Sequence, residues 1–215
     1  MKVKLIAITK SLIPEINSSE ELISYVARVS NPSNQLNVET APRLLKYCIT
    51  HEHWSIFEHS YMTVEIKTSR AIAAQILRHR SFVFQEFSQR YSQSTSFEDI
   101  EWRLQGKTNR QVGDETTNLP PHLQEKVVKT LESCKELYDN LIDSGVAKEC
   151  ARMVLPLTTE TTMYMTGNCR SFIHYIGLRT SQGTQKEHRL IAEEIKSIFT
   201  EQFPCISKAL QWIIE

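Results

Sequence analysis

Glycine is scarce in this chain, with six in 215 residues, at positions 106, 113, 145, 167, 177 and 183. No two of them make GxGxxG or a Walker loop, so a dinucleotide or triphosphate cannot be held here by a Rossmann fingerprint or a P-loop. The periodic segments point the same way. Residues 2–9, 60–67 and 158–166 read as strands, the last from its Thr, Tyr and Met content. Between and after them run helical patterns. One is opened by Ser18 and Glu21 at capping-box spacing, with Leu22, Ile23, Val26 and Val29 inward. Others cover 39–50, 70–79, 122–143 and 146–153. Asn168 caps a helix to about 178, and Thr184 with Glu187 makes a second capping box for a helix to about 202. Phe203-Pro204 starts the last helix. Helices outnumber strands and no regular crossovers separate the strands. The expected class is therefore α+β, a mixed or antiparallel sheet packed with helices, rather than a doubly wound sheet. One domain over 1–215 is expected, with a polar surface excursion or mobile loop at about 96–121 that carries two glycines and ends in Pro-Pro.

Twenty-five Lys and Arg balance 25 Asp and Glu. That balance argues against a general nucleic-acid coat or an acidic-membrane binder, which need a basic surplus, but it allows a local arginine cluster. No apolar run approaches the ~20 residues that span a bilayer. The opening MKVKLIAITK has too short an apolar stretch for a secretory leader and no cleavage site. Five cysteines, at 48, 134, 150, 169 and 205, form no CxxC pair. Reduced thiols in a cytoplasmic protein are the expectation.

The densest chemistry lies in RHRSFVFQEFSQRYS, residues 78–92, with Gln75 just before it. Gln75, Arg78 and His79 stand at i, i+3 and i+4, on one face if helical. Arg78, Arg80 and Arg90 supply permanent cations with bidentate donors, suited to phosphate or carboxylate. A solvated basic helix end accounts for the same residues. In a second cluster Arg170 and His174 share a helix face, while Arg179 lies nine residues beyond Arg170, about 180° around at ~100° per residue. Such a helix presents polar groups on two opposite sides. It lies between two ligands, or between a ligand and a subunit boundary, or merely flanks a buried Phe172–Ile176 stripe with surface arginines. Arg152 sits among apolar residues near a helix end, as part of an ion pair or an anion site. His51, His53 and His59 lack the HExxH spacing of a metal helix, and no metal is expected.

Arg78-His79-Arg80 followed by Ser88 and Arg90 resembles the RHRx7S signature of the flavin-dependent thymidylate synthases. The family's other blocks follow in order: His53 with Ser55 and Glu58, Gln75, the Ala-Arg-x-x-Leu-Pro run at 151–156, and Asn168-x-Arg170 leading to Leu178-Arg179. The resemblance runs from about residue 20 to 190. It implies reductive methylation of dUMP to dTMP, with methylenetetrahydrofolate as one-carbon donor, NADPH as reductant and FAD between them. It also implies a homotetramer with sites shared between chains and a non-Rossmann α+β fold. By motif position, Ser55, Arg78, His79, Arg80 and Glu86, with Asn168, Arg170 and His174, should line the FAD site. Gln75, Arg78, Glu86, Ser88 and Arg90, with Arg152 and Arg179, should surround dUMP. Arg179 is the expected catalytic side chain, because negative charge must develop across N3 and O4 of uracil as C5 becomes nucleophilic. Pro204-Cys205 resembles the Pro-Cys nucleophile of the cysteine-dependent synthases, but it opens a helix with no basic neighbours close in sequence to lower the thiol pKa, and it is expected to be structural. The competing readings are a nucleotide- or RNA-binding module built on arginines 78–90 and a metal-dependent hydrolase built on the histidines. Flavin content separates the first reading from both.

Overall fold

The computed structural model describes residues 1–93 and 95–213. Its strands are β1 (Lys2–Ile8), β2 (Tyr61–Ser69), β3 (Val83–Glu86), β4 (Arg103–Gln105), β5 (Gly113–Thr116) and β6 (Glu160–Asn168). Its α-helices are α1 (Ser19–Ala27), α2 (Ala41–Thr50), α3 (Arg70–Ile76) and α4 (Pro121–Asp143), followed by α5 (Lys148–Ala151), α6 (Cys169–Arg179), α7 (Lys186–Gln202) and α8 (Pro204–Ala209). Four strands form one sheet in the order β1-β2-β6-β3, antiparallel at every pairing. Long pairing between β2 and β6, from Tyr61 opposite Asn168 to Ser69 opposite Glu160, makes the spine of the fold.

Strand alternation decides which side of this spine becomes core. Met62, Val64 and Ile66 of β2 and Met163 and Met165 of β6 are buried, packed with Ile72, Ile76, Phe172, Ile176, Ile191 and Ile195 from α3, α6 and α7. On the opposite face Thr63 pairs with Thr166 at 2.9 Å, and the Tyr164 hydroxyl donates to Glu65 at 2.9 Å. That face is polar. Helix α4 packs mainly on α5 and the short 3-10 helix Arg152–Val154; of its 23 residues only Tyr138 is fully buried. Among the described residues no helix is long and apolar enough to cross a membrane.

The α+β class and the three strand positions agree with the sequence reading, with ends shifted by one or two residues. The Ser18–Glu21 capping box forms in both directions. Several expectations need correction, the Thr184–Glu187 capping box among them, since α7 has no side-chain cap, and one strand lies where none was expected. Helix α1 ends at Ala27, so Val29 is exposed rather than inward. Helix α3 ends at Ile76 instead of about 79, because Arg78 and His79 donate to carbonyls three residues back and tighten the chain. Strand β3 was hidden because its pattern is inverted: Val83 points out at 74% exposure while Glu86 points in. The 96–121 segment, expected as a surface excursion or mobile loop, carries secondary structure. It contains the β4–β5 hairpin, and Phe97 bridges to Thr159 beside the main sheet. Gly113 permits that hairpin, since a Cβ there would lie 2.5 Å from the Cβ of Arg103.

Candidate active site

Asn168 does two jobs at once. It ends β6, and its Oδ1 accepts from the Ser171 amide at 2.8 Å to cap α6. Cys169, Phe172, Tyr175 and Ile176 then turn inward. Helical spacing sends Arg170, His174, Gly177 and Leu178 to the outer face, where they line a groove of about 890 Å3 with Trp54, Glu58, Ser81 and Asn168. Arg170 pairs with Glu58 across this groove. Both side chains are about half exposed, so the pair orients the rim more than it stabilises the fold. The chain between Arg80 and β3 is pinned by Phe82. Its ring occupies the space a Cβ on Gly167 would take, and stacks edge-on against Phe172 at 4.9 Å between centroids.

At the other end of α6, Arg179 Nε donates to His79 Nε2 at 2.8 Å. An accepting Nε2 requires a neutral imidazole with its proton on Nδ1. Burial, the Arg179 charge and His174 lower the His79 pKa to about 4, so the ring is neutral near pH 7. The bond orients the guanidinium and leaves both Nη groups as donors. Behind it the Tyr175 hydroxyl meets His188 Nε2 at 3.0 Å, and His188 Nδ1 meets Gln75 Oε1 at 3.3 Å. His188 is fully buried; burial first, then Arg179 and His79, lower its pKa to about 4. Burial pushes the Tyr175 phenol up, so it stays protonated and donates.

The remaining candidates lie apart from the groove. Glu86 is held by Arg70 at 3.0 Å and by the Thr161 hydroxyl at 2.9 Å. Ser88 and Arg90 line a depression of about 500 Å3 with Tyr91, Lys148 and Glu149. Arg90 there faces Glu149 at 3.5 Å, both well exposed. Arg152 is half-buried where α5 ends but does not line this depression. Arg78, Arg80 and Arg152 make no ion pair or side-chain hydrogen bond with the described residues.

Of the eight residues expected around the flavin, the fold gathers Asn168, Arg170 and His174 in one groove. Ser55 is exposed on the short 3-10 helix Trp54–His59 that supplies Trp54 and Glu58, but it does not line the groove. Arg78, His79, Arg80 and Glu86 do not line it either. Of the dUMP candidates, Gln75 and Arg179 converge on the His79–His188 cluster, and Ser88 and Arg90 share the second depression. Sequence reasoning missed Trp54, Tyr175, Gln185 and His188, and saw Ser81 only as a polar neighbour. Aromatic and polar residues inside helical patterns carry no local mark of a site. His51 and His53 join a surface cluster with Tyr47, whose ring stacks on His51 at 4.0 Å. Burial and the Glu20 carboxylate raise the Cys205 thiol to about 11, and that carboxylate accepts from the Cys205 and Ile206 amides that open α8.

A family model described as thymidylate synthase complementing protein matches residues 11–205. The chain belongs to this family. The chain is 53% identical over 218 aligned residues to a probable flavin-dependent thymidylate synthase of Paramecium bursaria Chlorella virus 1, covering 99% of this chain and 100% of that one. It is 48% identical to the flavin-dependent thymidylate synthase of Synechocystis, again covering 99% and 100%. Among solved structures, a UMP/dUMP methylase PolB from Streptomyces cacaoi with bound 5-Br dUMP superposes at a TM-score of 0.82 and 27% identity, covering 99% of this chain and 95% of that one.

Proposed function

We propose that this enzyme methylates dUMP to dTMP as a flavin-dependent thymidylate synthase, with FAD bound, methylenetetrahydrofolate giving the one-carbon unit and NADPH the reducing equivalents. The overall change is dUMP, methylenetetrahydrofolate, NADPH and a proton to dTMP, tetrahydrofolate and NADP+. The observation that carries the reading is the Arg179–His79 hydrogen bond. A neutral imidazole holds a permanent cation at the end of α6, so its Nη donors can face a uracil edge and stabilise charge on N3 and O4 while C5 attacks. Ser88, Arg90 and Arg152 hold the phosphate and Gln75 the base in a site that another copy of the chain completes, since within one chain Ser88 and Arg90 line a depression apart from the Gln75–Arg179 cluster.

The groove on α6 suits a flavin. Its volume of about 890 Å3 is at the upper end of the ~300–1,000 Å3 usual for cofactor sites. Its floor is apolar at Ile173, Gly177 and Leu178, and its rim carries Arg170, His174, Asn168 and Ser81. When bound, the flavin supplies the electron-carrying ring between NADPH and the one-carbon unit. The protein's own residues position the rings, neutralise phosphate and exclude water. Arg78, Arg80, Ser55 and Glu86 fall outside this groove, and they serve the same site if it is completed by other copies in a homotetramer. The exposed Leu123, Val128 and Leu137 on α4 support such an assembly.

The test is the absorption spectrum of the purified protein under anaerobic conditions, before and after NADPH, followed by assay of dTMP from dUMP with methylenetetrahydrofolate. About one flavin per chain, bleached by NADPH, with dTMP formed, supports the proposal. A protein that stays colourless with added FAD overturns it and turns attention to simple nucleotide binding by arginines 78–90.

A further inference from the structure

Gln75 is the first link of a hydrogen-bond chain that leaves the site. Gln75 Nε2 donates to Gln185 Oε1 at 2.6 Å, and Gln185 Nε2 donates to Glu187 Oε2 at 2.9 Å. The other oxygen of Glu187 accepts from Arg103 Nη2 at 2.5 Å, where the Arg103 side chain is 13% and that of Glu187 19% exposed. Arg103 comes from β4, in the polar segment to which no role attaches in the sequence. The hairpin is itself tied down, with Lys186 pairing to Glu101 at 2.5 Å and the Thr116 hydroxyl donating to Glu101 at 3.1 Å.

The chain has one direction, and its far end decides it. A carboxylate can only accept, so Gln185 must turn its NH2 toward Glu187 and its oxygen toward Gln75. Gln75 must then turn its NH2 toward Gln185 and its oxygen toward the His188 Nδ1–H. That tautomer of His188 accepts at Nε2 from the Tyr175 hydroxyl. Burial works against ionised Glu187, but donors from Arg103 and Gln185 outweigh it and hold the carboxyl below its usual range. Gln75 keeps one free N–H and one free lone pair, in a fixed order.

We propose that Glu187 is a positioning residue that sets the orientation of the Gln75 amide, and through it the preference of the site for uracil over cytosine. The proposal rests on the reading of Gln75 as a dUMP contact. Uracil presents an acceptor at position 4 beside a donor at N3, and cytosine presents the reverse. An amide of fixed orientation matches one of these and leaves unpaired groups against the other, whereas an amide free to turn matches both. In Glu187→Gln the terminal acceptor becomes an amide that can also donate. The whole chain can then run backwards, with His188 in its other tautomer and Gln75 turned over.

The experiment is calorimetric binding of dUMP and dCMP to the flavin-loaded protein, with kcat and Tm measured alongside. Glu187→Gln should narrow the dUMP-to-dCMP affinity ratio about tenfold, mainly through tighter dCMP binding, with kcat on dUMP within about threefold of the parent; one hydrogen-bond mismatch is worth about that factor. Gln185→Leu cuts the same chain without unpairing Arg103 and should narrow the ratio too, which keeps the test decisive if Glu187→Gln is unstable. Gln75→Leu should lower the ratio by itself, and adding Glu187→Gln to it should change nothing further. A parental ratio in Glu187→Gln and Gln185→Leu, with Gln75→Leu still effective, overturns the role of Glu187 alone. A parental ratio in Gln75→Leu overturns the reading of Gln75 as well.

Discussion

Seven of the twelve arginines divide into two populations. Arg70, Arg103 and Arg179 are partly buried, and each is held by a partner in the same chain: Glu86, Glu187 and His79. Among the described residues Arg78, Arg80 and Arg152 make no such bond, and Arg90 has a long contact to the exposed Glu149 carboxylate at 3.5 Å. The first population is pre-organised, its orientation set before any ligand arrives. The second consists of exposed or half-exposed cations that water solvates, whose orientation is fixed only when an anion, or another copy of the chain, completes their environment. Chemistry needs the first kind, since a donor aimed beforehand requires no reorganisation in the transition state. Phosphate capture tolerates the second.

Arg179→Ala tests that division most severely. Turnover should fall by about 10^3-fold, within the range found for loss of one charge-stabilising donor, while flavin content stays at the parental level. A kcat within tenfold of the parent would remove the pre-organised set from the chemistry. The open set should behave differently. Arg90→Ala and Arg152→Ala should each raise the dUMP Kd by about 10- to 100-fold, from ~1.5–3 kcal/mol per charged hydrogen bond. Their kcat should hardly change, and the parent's binding should weaken with added salt. If either variant lost kcat instead of affinity, the two populations would not be functionally distinct.

The closed cluster should also leave a mark on stability that the exposed arginines cannot. His79 and His188 titrate near 4 in the folded chain against ~6.5 when unfolded. Between those values the unfolded chain binds more protons, so stability rises with pH across that window and levels off above it. Thermal melts should therefore fall from pH 6.5 toward pH 4, and His188→Gln should flatten part of that slope. A parental slope in the variant would mean that carboxylates alone cause it. The smallest effect belongs to Cys205→Ser. With its thiol raised to about 11, Cys205 is un-ionised at neutral pH, and activity should stay within about twofold of the parent. Complete inactivation would reopen a thiol mechanism.

Much of this was legible beforehand where the signal is local. The capping box at Ser18–Glu21 and the Asn168 cap depend on neighbours three residues away, and both form. The two-sided α6 followed from 3.6-residue periodicity, and the structure places Arg170 against Glu58 and Arg179 against His79. The other capping box failed instructively. Thr184 and Glu187 have the right spacing, yet α7 begins at Lys186 with no side-chain cap. Glu187 is engaged instead by Arg103, 84 residues earlier in the chain, and by Gln185. A charge-assisted bond to Glu187 outcompetes the local cap.

By itself the sequence determined the α+β class, the three long strands, the exclusion of a glycine-rich nucleotide loop and the residue types of the candidate site. Those follow from periodicity and side-chain chemistry, which are properties of neighbours. Only the tertiary structure decided that β3 exists, that the 96–121 segment folds back through Arg103, and that Gln75, His79, Arg179 and His188 meet. Each of these depends on partners about 80 to 110 residues apart, and hydrogen bonds over that separation form only after the core has brought the elements together.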